Sequence, residues 1–391
     1  MNQLANQPLS ATTLFVARLC LENFRNYDLI EFLFAPPTSG AMMTVILGNN
    51  GAGKTNMLEA LSLLTPGRGL RPNKAASRSD PTSVGGDERI RFGSNRWRLR
   101  ADIAFNQEPE ILKIEFCPDS QKIKSFLNHN PIKSSERNLS CVWVLPRHDR
   151  LFQEPASERR RFLDRLITAI HGGHQSAVIS LGELLKQRRV LLEQRLGDET
   201  WLKVLEKRIA EKAVAVGAAR LDYAKKLNQA LVKGFAFLPP MKITLSGMVE
   251  EALETNPAAE VEEIYRHHLT SERNSDNIEG PHRSDFIADH LGKNLTAPFC
   301  STGEQKLLVL AIMVAAIEIL TAEFGRPPLF LLDDIVSHLD DDHRNDMLRL
   351  FRSLADNLAV PCFLTGTRAG DFATLRDRAQ FITLAEGRII G

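Results

Sequence analysis

The first third of the chain alternates apolar and polar residues in short runs, and this pattern predicts β-strands. The alternation covers residues 19–24, 27–34, 97–103 and 112–116, and a polar turn sequence follows at 128–131. A period of two places every second side chain on the same face of a sheet. The apolar run at 44–47 predicts a further strand, directly before a helix. Together these runs predict a mixed sheet built around one helix.

The pattern changes between about residues 156 and 230, where Leu, Ala, Glu, Lys and Arg dominate and glycine and proline are few. Apolar stripes with charged flanks predict long helices, which we expect to form an antiparallel hairpin or bundle. Pro239 and Pro240 close this block. After an acidic stretch at 250–263, the apolar runs 329–332 and 362–365 predict buried strands. The helical block is therefore predicted to be inserted between two halves of one domain, with parts at 1–150, 151–275 and 276–391.

Composition narrows the class of protein. The 391 residues are 43% apolar and 25% charged, which is enough for a sizeable core. The longest apolar run, 307–317, is shorter than the roughly 20 residues of a membrane span and predicts a buried helix. The first residues lack the pattern of a secretory signal, so we expect a cytoplasmic protein without a membrane partner. The five scattered cysteines indicate neither a disulfide framework nor a zinc site, and the net charge of +1 requires any DNA binding to come from local basic patches.

A phosphate-binding pattern, G-x-x-x-x-G-K-[ST], directly follows the strand at 44–47. It consists of Gly48, Asn49, Asn50, Gly51, Ala52, Gly53, Lys54 and Thr55. The glycines let successive backbone N–H groups surround phosphate oxygens, and the positive end of the next helix faces the nucleotide. Lys54 is expected to reach the β- and γ-phosphates of ATP, and Thr55 to hold Mg²⁺. A glycine-rich turn that matches by chance is the alternative, which the strand before and the helix after disfavour.

Two carboxylates end the apolar strand at 329–332. Asp333 is expected to act on the Mg²⁺ ion, as a Walker B acid does. Asp334 occupies the place where ABC-type ATPases usually carry a glutamate that orients or deprotonates the attacking water, and we expect it to be the catalytic residue. The alternative is a pair of aspartates that only cap a turn.

Two further motifs resemble ABC-type ATPases. Asp340, six residues beyond Asp334, resembles the D-loop aspartate. The S-x-G-E-Q signature comes just before the apolar helix and comprises Ser301, Gly303, Glu304 and Gln305. In this class the signature faces the γ-phosphate held by a second subunit. The resemblance therefore implies a homodimer that ATP holds together at an isologous interface.

Nearly the whole chain resembles the RecF family of bacterial recombination mediators. Besides the motifs above, the resemblance rests on F-R-N-Y within residues 22–27, R-R-R-F-L-D at 159–164 and G-P-H-R-S-D at 280–285. It implies an α/β fold, an ABC-type P-loop ATPase head with an inserted helical arm. It further implies slow ATP hydrolysis, ATP-dependent dimerisation, and binding to duplex DNA and to single-strand/double-strand junctions at gaps. RecO, RecR and RecA are the implied partners, with RecA being loaded beside single-strand-binding protein.

Basic residues in two segments are candidates for contacts with DNA phosphates. Those after the P-loop helix are Arg68, Arg71, Lys74 and Arg78, and those in the arm are Lys186, Arg188 and Arg189. Each is individually compatible with an ordinary solvated charge. Arg159, Arg160 and Arg161 are equally compatible with ion pairs to acids inside the head, and His282 and Arg283 with a structural role or a place near the nucleotide.

Two other classes of protein remain as alternatives. The nucleotide-binding subunit of an ABC membrane transporter also has a P-loop, a signature and a Walker B acid. Transporter subunits carry a Q-loop glutamine and a switch histidine, whereas this chain reads V-L-P-R-H-D-R at 144–150 and L-T-G-T at 364–367. A purely structural, chromosome-organising protein would need a longer coiled coil than residues 155–280 can form.

Overall fold

A computed structural model describes residues 14–36, 42–66, 69–71, 87–105, 108–137, 139–193, 199–273, 278–337 and 339–391. The strands, in chain order, are β1 (Leu14–Phe24), β2 (Tyr27–Leu33), β3 (Met43–Gly48), β4 (Arg98–Phe105), β5 (Glu108–Cys117), β6 (Lys122–Leu127), β7 (Asn130–Ile132), β8 (Cys141–Val144), β9 (Met241–Ser246), β10 (Asp285–His290), β11 (Leu295–Thr296), β12 (Leu329–Leu332), β13 (Cys362–Gly366), β14 (Ala379–Ala385) and β15 (Arg388–Ile389). The helices are α1 (Lys54–Ser62), α2 (Ala156–Ile170), α3 (His174–Glu193), α4 (Glu199–Leu231), α5 (Met248–Thr255), α6 (Ala258–Ser271), α7 (Thr302–Phe324) and α8 (Asp341–Leu358).

The chain divides into two compact units. The head unit comprises Met1–Pro146 and Leu320–Gly391, and the arm unit comprises Arg147–Ile319. The predicted division at residues 150 and 275 stays a prediction. The main difference is that residues 276–319, which include the signature, belong to the arm unit rather than to the head unit.

The head unit contains two six-stranded sheets. One is antiparallel, in the order β2-β1-β4-β5-β6-β7. The other has the order β15-β14-β3-β13-β12-β8, and every neighbouring pair from β14 to β8 is parallel. Parallel strands end at the same edge of a sheet. The loops after β3, β12 and β13 therefore start side by side, with β13 between the other two.

The core of the head unit joins the buried faces of its sheets to α1. Along β1 and β2 the buried residues are separated by one or two half-buried or exposed ones, close to the alternation that the sequence pattern predicts. Leu19, Leu21, Ile30 and Phe32 belong to one apolar cluster with Leu58 of α1. The strands of the parallel sheet lack this alternation, since all residues of β3, β8, β12 and β13 are buried. Both predictions for the head strands are confirmed.

The arm unit is built around α4, the longest helix of the described residues, with 33 residues. Buried residues recur at steps of three or four along it and form a continuous stripe, which is the pattern of a helix packed along one face. The stripe includes Leu202, Leu205, Ile209, Ala213, Val216, Tyr223 and Leu227. Helices α3 and α6 pack against it and contribute to the same apolar core. The unit also has a three-stranded antiparallel sheet, in the order β11-β10-β9.

Helix α7 is the one helix of the described residues that is long and apolar enough to cross a membrane. Its residues 308–317 are at most 1% exposed. This burial agrees with the prediction of a buried helix at 307–317.

Candidate nucleotide-binding site

The P-loop connects β3 to α1, as predicted. Gly51 and Gly53 have positive φ angles of 86° and 113°, a conformation that side chains with a Cβ rarely adopt. A Cβ on Gly53 would also lie 2.5 Å from the Tyr27 hydroxyl oxygen. The Lys54 ammonium donates to the carbonyl oxygens of Gly48 at 2.6 Å and Asn49 at 3.0 Å. The loop is thus a tight cradle, in which the first N–H groups of α1 have no partner from their own helix turn.

The predicted metal residues lie in direct contact. The Thr55 hydroxyl is 2.9 Å and 3.1 Å from the two carboxylate oxygens of Asp333. Asp333, which directly follows β12, is buried. A hydroxyl oxygen and a carboxylate oxygen are the ligands that Mg²⁺ prefers in nucleotide sites. These residues, although 278 positions apart in the chain, fit an ATP–Mg²⁺ complex.

Thr365, near the end of β13, is a member of this site that sequence reasoning missed. Its hydroxyl donates to Asp333 Oδ1 at 2.8 Å and accepts from the backbone N–H of Asp334 at 2.9 Å. One buried hydroxyl therefore holds both carboxylate residues. Its position in the sequence could have indicated this role, because the segment at 364–367 corresponds to the region where transporters carry the switch histidine.

Asp334 has an unusual backbone. Its φ angle is 51°, in the left-handed region that aspartate and asparagine tolerate better than most residues. Burial lowers the pKa of Lys54, while the negative charges of Asp334 and Asp333 oppose that shift. The Asp334 carboxylate is therefore close enough to the P-loop to act on the lysine electrostatically.

The residues of the F-R-N-Y motif form hydrogen bonds with the P-loop and with α1, a role that the sequence analysis did not assign. Tyr27 donates its hydroxyl proton to the Gly53 carbonyl at 2.8 Å, and Asn26 accepts from the Asn56 amide at 2.7 Å. Arg25 makes a two-bond contact with Glu59 of α1, at 2.9 Å and 2.7 Å. The motif itself was visible in the sequence, but its contacts depend on the fold.

The signature serine lies at the start of α7 in the arm unit. Ser301 and Glu304 form a capping box: the Ser301 N–H and hydroxyl both donate to Glu304 Oε2 at 2.9 Å, and the Glu304 N–H donates to the serine hydroxyl at 3.3 Å. Gly303 has no neighbouring atom within 4 Å of the place where a Cβ would stand. Ser301 is exposed.

Gln305 departs from its prediction as a nucleotide contact. It is fully buried, and its amide donates to the Cys300 carbonyl at 2.9 Å. A side chain with no exposed surface cannot meet a nucleotide on another subunit, so Gln305 holds the turn before α7 instead. The sequence pattern places it correctly in the motif but does not show which way it points.

Asp340 caps α8. Its carboxylate accepts from the His343 N–H at 2.9 Å, and the same histidine ring lies 2.7 Å away. The backbone N–H of His343 and then its side chain lower the pKa of Asp340. Its place at the start of a helix is compatible with a D-loop, whose role stays a prediction.

The DNA-contact candidates differ in their surroundings. Arg68, Lys74 and Arg78 lie outside the residues that the structure describes. Arg71 contacts Glu59 at 3.2 Å and Asn56 at 3.1 Å, beside the P-loop helix. Arg189 is exposed and pairs with Glu193 of its own helix at 2.7 Å.

Arg188 must be corrected as a candidate. It is 2% exposed, pairs with Glu206 of α4 at 3.2 Å, and donates to the Leu269 carbonyl. Burial lowers the pKa of Arg188, and the charge of Glu206 partly offsets this effect. The guanidinium therefore joins three helices of the arm and is not available to a phosphate.

The R-R-R-F-L-D and G-P-H-R-S-D motifs meet in the arm unit. Arg159 pairs with Asp285, with contacts of 2.8 Å and 2.5 Å. Arg220 of α4 donates to Asp164 at 2.8 Å and 2.9 Å and to the Ser284 hydroxyl at 2.8 Å. Of the two roles considered for Arg159, a DNA contact or an internal ion pair, the structure shows the ion pair.

Comparisons with known proteins agree with this architecture. A family profile described as an AAA domain matches residues 18–140. "DNA replication and repair protein RecF" of Mesorhizobium japonicum is 36% identical over 384 residues, covering 96% of this chain and 97% of the relative. The protein of the same name from Rhizobium etli is 33% identical over 389 residues, covering 96% of this chain and 98% of the relative.

Two solved structures are similar in fold. The recombination mediator protein RecF-ATPrS in the RecFOR pathway has a TM-score of 0.80 at 21% identity, covering 97% of this chain and 98% of that one. An Smc head domain from Pyrococcus furiosus has a TM-score of 0.52 at 17% identity, with 96% of both chains covered. The predicted fold class, an ABC-type ATPase head with a helical arm, is confirmed. The transporter alternative is not favoured.

Proposed function

Because this chain belongs to the RecF family of DNA replication and repair proteins, we propose that it is an ATP-driven switch that dimerises and binds DNA at single-strand gaps. ATP hydrolysis is slow and releases the dimer. The single observation that carries this proposal is the contact between Thr55 of the P-loop and the Asp333 carboxylate. That contact joins the two halves of a nucleotide site.

The residues of the head unit suit ATP and Mg²⁺. Lys54, with the backbone N–H groups of the glycine-rich loop, would hold the phosphates, and Thr55 and Asp333 would hold the ion. When bound, Mg²⁺ neutralises charge on the phosphate oxygens. Thr365 keeps the Asp333 carboxylate in place through its 2.8 Å hydrogen bond.

Asp334 is the proposed catalytic residue, which orients the attacking water and accepts its proton. The contact between its N–H and Thr365 fixes its backbone at the end of β12. Because Asp333 would hold the metal ion, the Asp334 carboxylate one residue further on would be free to accept a proton from a nearby water. Aspartate has a shorter reach than the glutamate usual at this position, which is compatible with slow turnover.

The signature completes the site of a second copy. Ser301 is exposed at the start of a long helix, and a helix start favours a phosphate. In an isologous dimer each subunit supplies one P-loop and one signature, so that two ATP molecules lie at the interface. ATP binding then stabilises the dimer by mass action.

The proposed partners are DNA, RecO, RecR and RecA, and the proposed location is the cytoplasm. One protein of similar structure is a recombination mediator in the RecFOR pathway. Phosphate contacts from the basic residues of the arm and of the segment after α1 would position the protein on DNA without reading its sequence.

Fluorescence anisotropy on gapped and duplex DNA tests the proposal, with ATP, with ADP and without nucleotide, at one stated salt concentration. Tight binding only with ATP, lost in Lys54→Ala, supports the switch. The matched control is Lys122→Ala, an exposed lysine of β6 that is neither in the nucleotide site nor among the DNA-contact candidates. Equal weak binding in all three nucleotide states would overturn it.

A further inference from the structure

The Glu304 carboxylate joins the signature serine to a lysine on a neighbouring turn. One carboxylate oxygen accepts from the N–H and the hydroxyl of Ser301, both at 2.9 Å. The other is in contact with the Lys293 ammonium. Lys293 lies in the turn between β10 and β11, so its ammonium links this turn to the start of α7.

The Glu304 carboxylate lies at the start of α7, where the proposed function places a phosphate of the ATP bound to a second copy. A glutamate in the first helical turn favours the helix because it satisfies free N–H groups. The same charge repels a phosphate that approaches the same helix start. The contact with Lys293 and then the Ser301 N–H lower the pKa of Glu304 to about 2, so the carboxylate keeps its charge at neutral pH.

Lys293 compensates for that charge in two ways. Its ammonium cancels the carboxylate electrostatically, which leaves the helix start neutral or positive towards a phosphate. It also holds the carboxylate in the capping box, which fixes the orientation of the Ser301 hydroxyl. The lysine side chain is itself 54% exposed and the glutamate 21%, so the pair is open to solvent and its effect depends on salt.

We propose that Lys293 is a positioning residue for the signature motif, which neutralises Glu304 and keeps the capping box at the start of α7 in place for the triphosphate held by a second copy of the chain. This proposal rests on the proposed function, in which the signature acts on the partner subunit. It adds a residue that lies outside the signature and eight positions before Ser301.

Sedimentation with the slowly hydrolysed analogue ATPγS tests the proposal through the dimer dissociation constant. Lys293→Gln is expected to weaken the dimer roughly tenfold at low salt, because both nucleotide sites at the interface lose the compensating charge. Lys293→Arg keeps the positive charge and should therefore dimerise as strongly as the wild type. The matched control is Lys242→Gln, an exposed lysine on β9 of the same sheet, and thermal unfolding checks that each variant is folded.

The double variant Lys293→Gln/Glu304→Gln separates charge compensation from a merely structural contact. Glutamine at 304 still supports a capping box, so the double variant is expected to dimerise within about threefold of the wild type, and the defect of Lys293→Gln should shrink at high salt. A double variant as weak as Lys293→Gln would overturn the proposal, and so would a Lys293→Gln dimer of wild-type strength. A wild type that does not dimerise would overturn the proposed function as well, so the two failures are distinguishable.

Discussion

The hydroxyl of Thr365 lies 2.8 Å from the Asp333 carboxylate, to which it donates its proton. The same oxygen accepts from the N–H of the next residue, Asp334. A neutral side chain on β13 thus fixes the metal-binding residue and the proposed catalytic residue at the end of β12. Because Thr365 and Asp333 are buried, we expect their geometry to be set before nucleotide binds.

Replacing Thr365 by valine removes this hydroxyl while keeping the shape of the side chain. We expect ATP hydrolysis to fall about tenfold and the free energy of unfolding to fall by about 1–3 kcal/mol, because buried polar groups lose their partner. Single-turnover hydrolysis and urea unfolding measure the two effects. Thr365→Ser keeps the hydroxyl and is the control, and hydrolysis by Thr365→Val at the wild-type rate would contradict this role.

Replacing Asp334 by asparagine tests its role as the catalytic residue. Asparagine tolerates the positive φ angle at least as well as aspartate, so the fold should be retained. We expect single-turnover hydrolysis to fall by about 10²–10³, while ATP binding and ATP-dependent DNA binding persist. Unchanged hydrolysis would show that Asp334 does not act on the water.

His282 predicts a pH dependence of stability. Burial, and then the charges of Arg283 and Arg160, lower the pKa of His282 to about 4. Its Nδ1 atom is buried without a hydrogen-bond partner among the described residues. The unfolded chain binds this proton near pH 6.5 and the folded chain only near pH 4, so the folded state loses stability as the pH falls between those values.

The size of that loss is at most roughly 3 kcal/mol between pH 7 and pH 4. Urea unfolding at several pH values measures it, and His282→Gln should make the curve flatter over this interval. Identical pH curves for the wild type and the variant would contradict the assignment to His282.

Arg188 and Arg189 are a matched pair of neighbours with different predicted effects. Arg188→Met is expected to destabilise the arm by about 3–5 kcal/mol, because Glu206 would lose one of its buried partners. Arg189→Gln should leave stability nearly unchanged and, if Arg189 contacts a phosphate, reduce the salt slope of DNA binding by about one. Thermal unfolding and anisotropy at several salt concentrations distinguish the two. A stable Arg188→Met with a reduced salt slope would contradict the structural role of Arg188.

The sequence was sufficient for the parts of the site that follow from local patterns. Each of these patterns spans only a few neighbouring residues. One is the P-loop with the strand before it, and the other is the pair of aspartates after an apolar strand. The P-loop and Walker B patterns assigned Thr55 and Asp333 to the same Mg²⁺ ion, and the parallel strands β3 and β12 bring both residues to one edge of the sheet.

Other features could not be predicted, since they depend on contacts between distant segments. Thr365 became part of the site because β13 lies between β3 and β12, and strand order cannot be read from a single chain. Arg188 looked like an exposed charge because its partner Glu206 is on the next helix. Gln305 lies in a motif whose side-chain directions are set by the turn before α7.

In the proposed dimer, the signature of one subunit completes the nucleotide site of the other. We would test this by measuring ATP hydrolysis by an equimolar mixture of Lys54→Ala and Ser301→Arg, because each variant alone lacks an intact site. In a mixed dimer, Lys54 of the Ser301→Arg subunit faces Ser301 of the Lys54→Ala subunit, so one site is intact. We predict that the mixture hydrolyses ATP measurably faster than either variant alone, at protein concentrations where the wild type dimerises. No gain on mixing would contradict the claim.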